Sequence, residues 1–246
     1  MDKLKLIDDM TKYSGEYQGK CAQGRLDTRN TFKNKENETD LALRILIDGL
    51  IAKIVSDNSM KKIKSNEKIS YQIALSTSFV RTHYIIGDLY LAGDYIEAFT
   101  LIRKQYETFT RLLEIDINPL LRLLKKTPNV CNVLNKIGKP LYPKLSAIAH
   151  FGTPSVGELL SMFEEGDLAG PNLIPTYQES SLLSNDMNTI ISINFIGWLI
   201  EKFKVFFEDF DGKEETEILN IIISLAIKND IIKVDKPDKS DENGKC

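Results

Sequence analysis

The chain has 246 residues, 42% of them hydrophobic, with a formal net charge of −3 and a pI of about 5.6. That length and apolar content allow one large domain or two small ones with a real core. The acidic balance excludes nucleic-acid binding by bulk charge, so such binding needs a local basic patch, and DNA is not an expected partner.

Residues 1–38 are polar and weakly periodic, which predicts an N-terminal arm with at most one short helix. Within it, "FKNKENETD" at 32–40 reads as a charged linker. From Leu41 the pattern changes. Leu43, Leu46, Ile47, Leu50, Ile51, Ile54 and Val55 recur at three and four residues, a helical stripe with Asp40 as its candidate N-cap. A second helix is predicted from Asn66 to Ala92, carrying Ile69, Ile73, Phe79, Val80, Tyr84 and Leu89. Gly93 suits a left-handed helix end. Asp94 with Glu97 has the spacing of a capping box, so a tight helical hairpin is expected.

The next helix, 95–115, buries Phe99, Ile102, Tyr106, Phe109 and Leu113, and Pro119 closes it. Residues 119–150 read as short helices. Thr127-Pro128 resembles a cap followed by proline at the first helical position, Gly138 and Pro140 mark a break, and Pro143 opens the helix that ends at His150. A short helix at 155–165 and a Gly/Pro loop follow. A long Ile- and Phe-rich helix, 181–209, carries Trp198 and is expected at the centre. Asp211-Gly212 turns into a last helix, 213–229, with Ile218, Ile221, Ile222 and Leu225. The charged tail 233–246 reads as disordered. No convincing set of strands and no fixed-period repeat is present. The expected fold is all-α, a single helical bundle at 39–232 with a long central helix, preceded by the arm at 1–38.

Cys21, Cys131 and Cys246 are odd in number and far apart, which argues against a disulfide framework. Neither His83 nor His150 lies near a cysteine, so no metal site and no cofactor is expected. The N-terminus lacks an apolar signal, and no apolar run approaches the roughly 20 residues of a membrane span. A soluble cytoplasmic protein is expected.

Two helices carry polar residues at informative places. Arg103 and Glu107, four apart, share a face at the shoulder of the Phe99–Phe109 stripe. Arg precedes Glu, the order that supports an isolated helix less well, so local helix support is a poor reason for the pair. Ser146 and His150 share a face of the short helix, directed away from Leu145 and Ile148. A half-buried Arg and His from neighbouring helices make an anion site: a fixed fork for phosphate and a proton carrier near neutral pH. Between Ile117 and Gly157 there is no acidic residue, while Arg122, Lys125, Lys126, Lys136, Lys139 and Lys144 are basic. The plain readings compete. Arg103–Glu107 is then a helix-tying salt bridge, His150 a packed residue at a helix end, and the basic segment a solvated face. His83 is read as structural or exposed. Tyr84, Tyr90, Tyr95 and Tyr106 are read as core and boundary residues.

"LIRKQYETFTRLLEI" followed about 30 residues later by "YPKLSAIAH" resembles bacterial helical proteins in which one helix carries Arg-x-x-x-Glu and a later one carries Ser-x-x-x-His after a Tyr. That group is similar to the HEPN superfamily of four- and five-helix bundles, and the resemblance covers roughly 70–155, with the 181–209 helix as a further candidate. It implies a metal-independent ribonuclease of toxin–antitoxin or phage-defence type acting at a dimer interface. The family motif places an Arg four to six residues before the His on one helix. Here that window holds Pro143, Lys144 and Leu145, so the fork has to come from Arg103 on another helix.

The resemblance makes His150 the acid or base, with Arg103 and Lys144 stabilising charge and Glu107, Ser146 and Tyr142 orienting. RNA or a nucleotide is then bound by 117–157. The alternative is a non-enzymatic interaction module: a homodimer through the 181–209 and last helices, or a complex with an antitoxin or other protein. A third reading is a bundle that binds a small anion through Arg103.

Overall fold

The computed structural model describes residues 3–63, 66–134, 136–160, 162–165 and 168–233. The predicted tail falls almost wholly outside them. The fold is all-α, built from α1 (Lys3–Lys35), α2 (Glu38–Asn58), α3 (Glu67–Ala92), α4 (Tyr95–Ile117), α5 (Leu120–Leu123), α6 (Val130–Val133), α7 (Gly138–Ala149), α8 (Ser180–Phe206) and α9 (Lys213–Lys228). A 3-10 helix, Pro154–Leu160, leads into an antiparallel hairpin that pairs β1 (Met162–Glu165) with β2 (Leu168–Pro171). The hairpin stands where the 155–165 helix is expected to end. No helix among the described residues is long and apolar enough to cross a membrane.

The first correction is the arm. It is one helix of 33 residues, not a coil with a short helix. The segment read as a linker belongs partly to α1, whose Phe32 is fully buried and packs near Tyr90 with ring centroids 5.8 Å apart. The chain breaks only at Glu36 and Asn37. Asn37, not Asp40, caps α2: its Oδ1 accepts from the amides of Thr39 and Asp40 at 2.9 Å. Asp40 faces the other end of the chain and accepts from Asn229 at 2.6 Å.

Other helix ends follow physical rules more closely. Asn66 caps α3 by accepting from the Ile69 amide at 2.9 Å. Gly93 ends α3 at φ +87°, where its amide reaches the carbonyls of Leu89 and Tyr90. Asp94 makes no capping bond, contrary to the capping-box expectation. Its carboxylate instead takes a two-pronged contact from Arg25 of α1, at 2.9 and 3.2 Å. A charge-assisted fork outcompetes a single amide for those oxygens. Likewise α6 follows Asn129 rather than Thr127-Pro128. The α7 helix starts at Gly138, so Pro140 lies in the first turn, where its missing N–H costs nothing, and Pro143 is interior.

At the centre is α8, packed on α2, α3, α4 and α9. It buries Ile191, Phe195, Ile196 and Leu199, and Phe195 stacks on Phe79 at 3.8 Å. Each of the two helices keeps apolar residues exposed, Leu183 and Val205 on α8 and Ile221 and Ile227 on α9. At the far end of α4, Asp116 gathers Trp198 Nε1 and Gln72 Nε2 at 2.8 Å and Lys202 at 2.6 Å. That one carboxylate fixes α8 against α3 and α4.

On α8, burial, and then the nearby Asp40, push the Asp186 carboxyl up to about 6. An unfolded aspartate titrates near about 4. The folded chain therefore holds the extra proton between those values, and this group's contribution to stability falls as pH rises through that window. Asp186→Asn is expected to raise the denaturation midpoint at pH 7 and leave it almost unchanged at pH 4. Urea melts at the two pH values check this, and an equal shift at both would refute the titration.

Candidate functional site

The site is built on α4 and α7. Phe99, Ile102, Tyr106 and Phe109 bury one stripe of α4. Arg103 and Glu107 flank that stripe and stay half-buried, joined by a 3.0 Å salt bridge. Leu145, fully buried, fixes α7 in the core. Tyr142 and His150 then lie on the neighbouring face, and they meet the α4 pair. Arg103 Nη1 lies 2.8 Å from His150 Nε2, and Tyr142 donates its hydroxyl to Glu107 at 2.6 Å. Arg103 Nη2 also reaches the Tyr142 oxygen at 3.4 Å, and the guanidinium carbon lies 5.5 Å from the Tyr142 ring centre. Four of the six residues singled out from sequence thus converge.

The hydrogen-bond chemistry is one-directional. A guanidinium only donates, so Nε2 of His150 must present its lone pair and the ring proton must sit on Nδ1. Burial works against the Arg103 charge, but Tyr142 and Glu107 outweigh it and hold its pKa above the ordinary value. Burial, and then Glu107, raise the Tyr142 hydroxyl, which therefore keeps its proton. Arg103 Nε is buried without a partner, so one donor of the fork is unspent. His150 itself is exposed to solvent.

The other two residues stand apart. The Ser146 hydroxyl makes no hydrogen bond among the described residues; its carbonyl accepts the His150 amide at 3.1 Å, closing the helix end. Lys144 is exposed. Two residues beyond Tyr142, it points roughly 160° around the helix from that ring. Lys144 therefore adds surface charge rather than a contact. All six basic residues between Ile117 and Gly157 are exposed, and none forms an ion pair among the described residues. Their charges are unneutralised by any carboxylate among the described residues.

Phe151 was not singled out from sequence. It is 68% exposed and sits at φ +50° directly after His150. The signal was an aromatic residue between a histidine and a Gly, where a helix end demands a left-handed residue. A buried pair was also missed. Arg111 pairs with Glu114 at 3.2 Å and donates to the Lys126 carbonyl, while Glu114 accepts the Asn129 amide at 2.9 Å. Together they pin the 119–130 segment to α4.

His83 takes a different role. It is 3% exposed, with Nε2 at 2.7 Å from Asp48 and Nδ1 at 3.0 Å from Ser192 Oγ. The Ser–His–Asp order suggests a nucleophile, but Ser192 is fully buried and no substrate can reach it. The group links α2, α3 and α8.

Holding a bulky side chain at positive φ costs roughly 1 kcal/mol. Phe151→Gly is expected to raise stability by about that amount in denaturant melts, with unchanged slope. A loss of stability would show instead that the exposed ring is packed. Among known proteins, no family model, curated protein or solved structure matches the chain.

Proposed function

We propose that the chain is a HEPN-like cytoplasmic protein of bacterial toxin–antitoxin or phage-defence type that binds RNA on its 117–157 face and cleaves it without a metal. One observation carries the reading: an exposed His150 whose Nε2 lies 2.8 Å from a half-buried Arg103. Nε2 first gives up its bond from Arg103 Nη1 and, with the lone pair so freed, takes the proton of an RNA 2′-hydroxyl. The freed oxygen attacks the adjacent phosphorus, the bond from phosphorus to the 5′-oxygen breaks, and water protonates the departing oxygen. The products are a 2′,3′-cyclic phosphate and a 5′-hydroxyl.

Proton uptake and charge stabilisation are coupled. Once Nε2 is protonated it cannot take back the bond from Arg103. The released Nη1 then turns to the non-bridging oxygens as their charge grows. Glu107 and Tyr142 hold the other arm of the guanidinium, so its orientation is set in advance. Phe151 offers a flat face for a base beside the scissile bond. The cationic segment supplies attraction without sequence preference.

The test is cleavage of a single-stranded RNA oligonucleotide in the presence of a chelator. Wild type is expected to leave cyclic-phosphate ends. His150→Ala is expected to slow cleavage by about 10²–10⁴-fold with the fold retained. Arg103→Lys, which keeps charge but loses the fork, should fall between the two. Phe151→Ala should weaken RNA binding by about 1–3 kcal/mol. Unchanged cleavage by His150→Ala would remove His150 from the chemistry.

A second reading, an interaction module, is favoured by the first half of α1, where Leu4, Ile7, Met10 and Tyr13 are each more than half exposed. It takes over if wild type neither binds nor cleaves RNA.

A further inference from the structure

A separate cavity of about 400 Å³ lies between α2, α3 and the C-terminal end of α8. Its walls include Val55, Ile73, Val80, Leu199, Phe203 and Phe207. This size falls in the range of small-molecule sites, which are mostly apolar with a few placed polar groups. The wall carries Ser59, Lys61, Ser76 and Thr77 as well, but Asn58 and Arg81 are the two polar residues that bear on a ligand. Asn58, on the cavity wall, is 3% exposed; its Nδ2 donates to the Ile54 carbonyl at 2.8 Å, but its Oδ1 has no partner. Eight buried side-chain polar atoms among the described residues lack a hydrogen-bond partner, and of these residues Asn58 is the one on this wall. Arg81 stands exposed at the rim and forms no ion pair among the described residues. The other rim cation, Lys61, is already neutralised by Asp209 at 2.8 Å.

We propose that this cavity binds a small amphipathic anion: a ring-sized apolar body carrying one N–H or O–H donor and one acidic group. The body fills the space between the α8 phenylalanines and the α3 aliphatic residues. The donor satisfies Asn58 Oδ1, which is closed to solvent without a guest and turns to meet one. The acidic group reaches Arg81, the only one of the two rim cations with an unspent charge. A purely apolar guest would leave both Asn58 and Arg81 unanswered. A protein segment would have to enter a cleft whose polar groups ask for one donor and one anion. Nothing in this site uses Arg103 or His150, so it stands or falls independently of RNA cleavage.

The probe is 1-anilinonaphthalene-8-sulfonate, which carries an apolar ring pair, an N–H and a sulfonate. Titrated into the full chain, its fluorescence is expected to saturate at one molecule per chain. Arg81→Gln, at an exposed position, is expected to weaken binding roughly tenfold. Thr77→Trp, exposed at the mouth, should block it, while His150→Ala should leave it unchanged. Indole-3-acetate, with a ring, an N–H and a carboxylate, should displace the dye, and 3-methylindole, which lacks the acid, should not. Circular dichroism and melting confirm that each variant is folded; should Thr77→Trp fail to fold, Arg81→Gln decides. Fluorescence that does not saturate, or affinity unchanged in folded Arg81→Gln, would overturn the proposal.

Discussion

The left-handed turn at Gly93 is the constraint from which the rest of the bundle follows. At φ +87° it reverses α3 into α4 through a junction of two residues, Gly93 and Asp94. A side chain there is doubly opposed, by the backbone angle and by the Thr176 carbonyl, 3.1 Å from where a Cβ would stand. The same turn is clamped from outside by Arg25 of α1 on Asp94, and from the return segment by the Tyr95 hydroxyl, which accepts the Gln178 amide at 2.9 Å. Three parts of the chain distant in sequence therefore meet at one reversal. Because α4 leaves it in a fixed direction, both of its faces are set.

Those faces do different work. One packs Phe99, Ile102, Tyr106 and Phe109 into the core; its shoulder presents Arg103 and Glu107 to α7. Glu107 and Tyr142 hold one arm of the guanidinium at that shoulder, and His150 meets the other. The far end of α4 is held as firmly by Asp116 on Trp198 and by the Arg111–Glu114 pair on the segment leading to α7. A rigid first helix and a tethered second one are what a site needs to keep an Arg–His contact at hydrogen-bond length.

The α8 helix carries an unusual load of buried polar residues for a central helix. Asn185 accepts from Tyr90 at 2.9 Å, and Ser192 and Asn188 face His83. An apolar helix could slide or rotate at small cost, whereas each of these bonds is lost on a shift of one residue. Unpaired buried groups are expensive, so the polar contacts fix rotation and register while Ile191, Phe195 and Leu199 provide most of the burial. The cavity beside Phe203 lies past the end of this pinned region, where the polar load of α8 has ended.

Local rules were enough to read much of this chain. The three-and-four spacing of α2, the Asn66 start and Gly93 stop of α3, the α4 stripe and the Ile-rich α8 all follow from residues near one another. So did the pairing of Arg103 with Glu107, because helix geometry alone sets it. The arm was misread because α1 contributes only scattered buried residues, Cys21, Thr28 and Phe32, and a stripe that thin is invisible without its partner. Asp40 and Asp94 looked like caps, but each is held by a distant residue, Asn229 and Arg25, that no window around it contains. The meeting of Arg103 with His150, the unpaired Asn58 and the strain at Phe151 were decided by tertiary structure. Each depends on how separate helices pack, and sequence spacing fixes the face of a helix but not what the fold places opposite it.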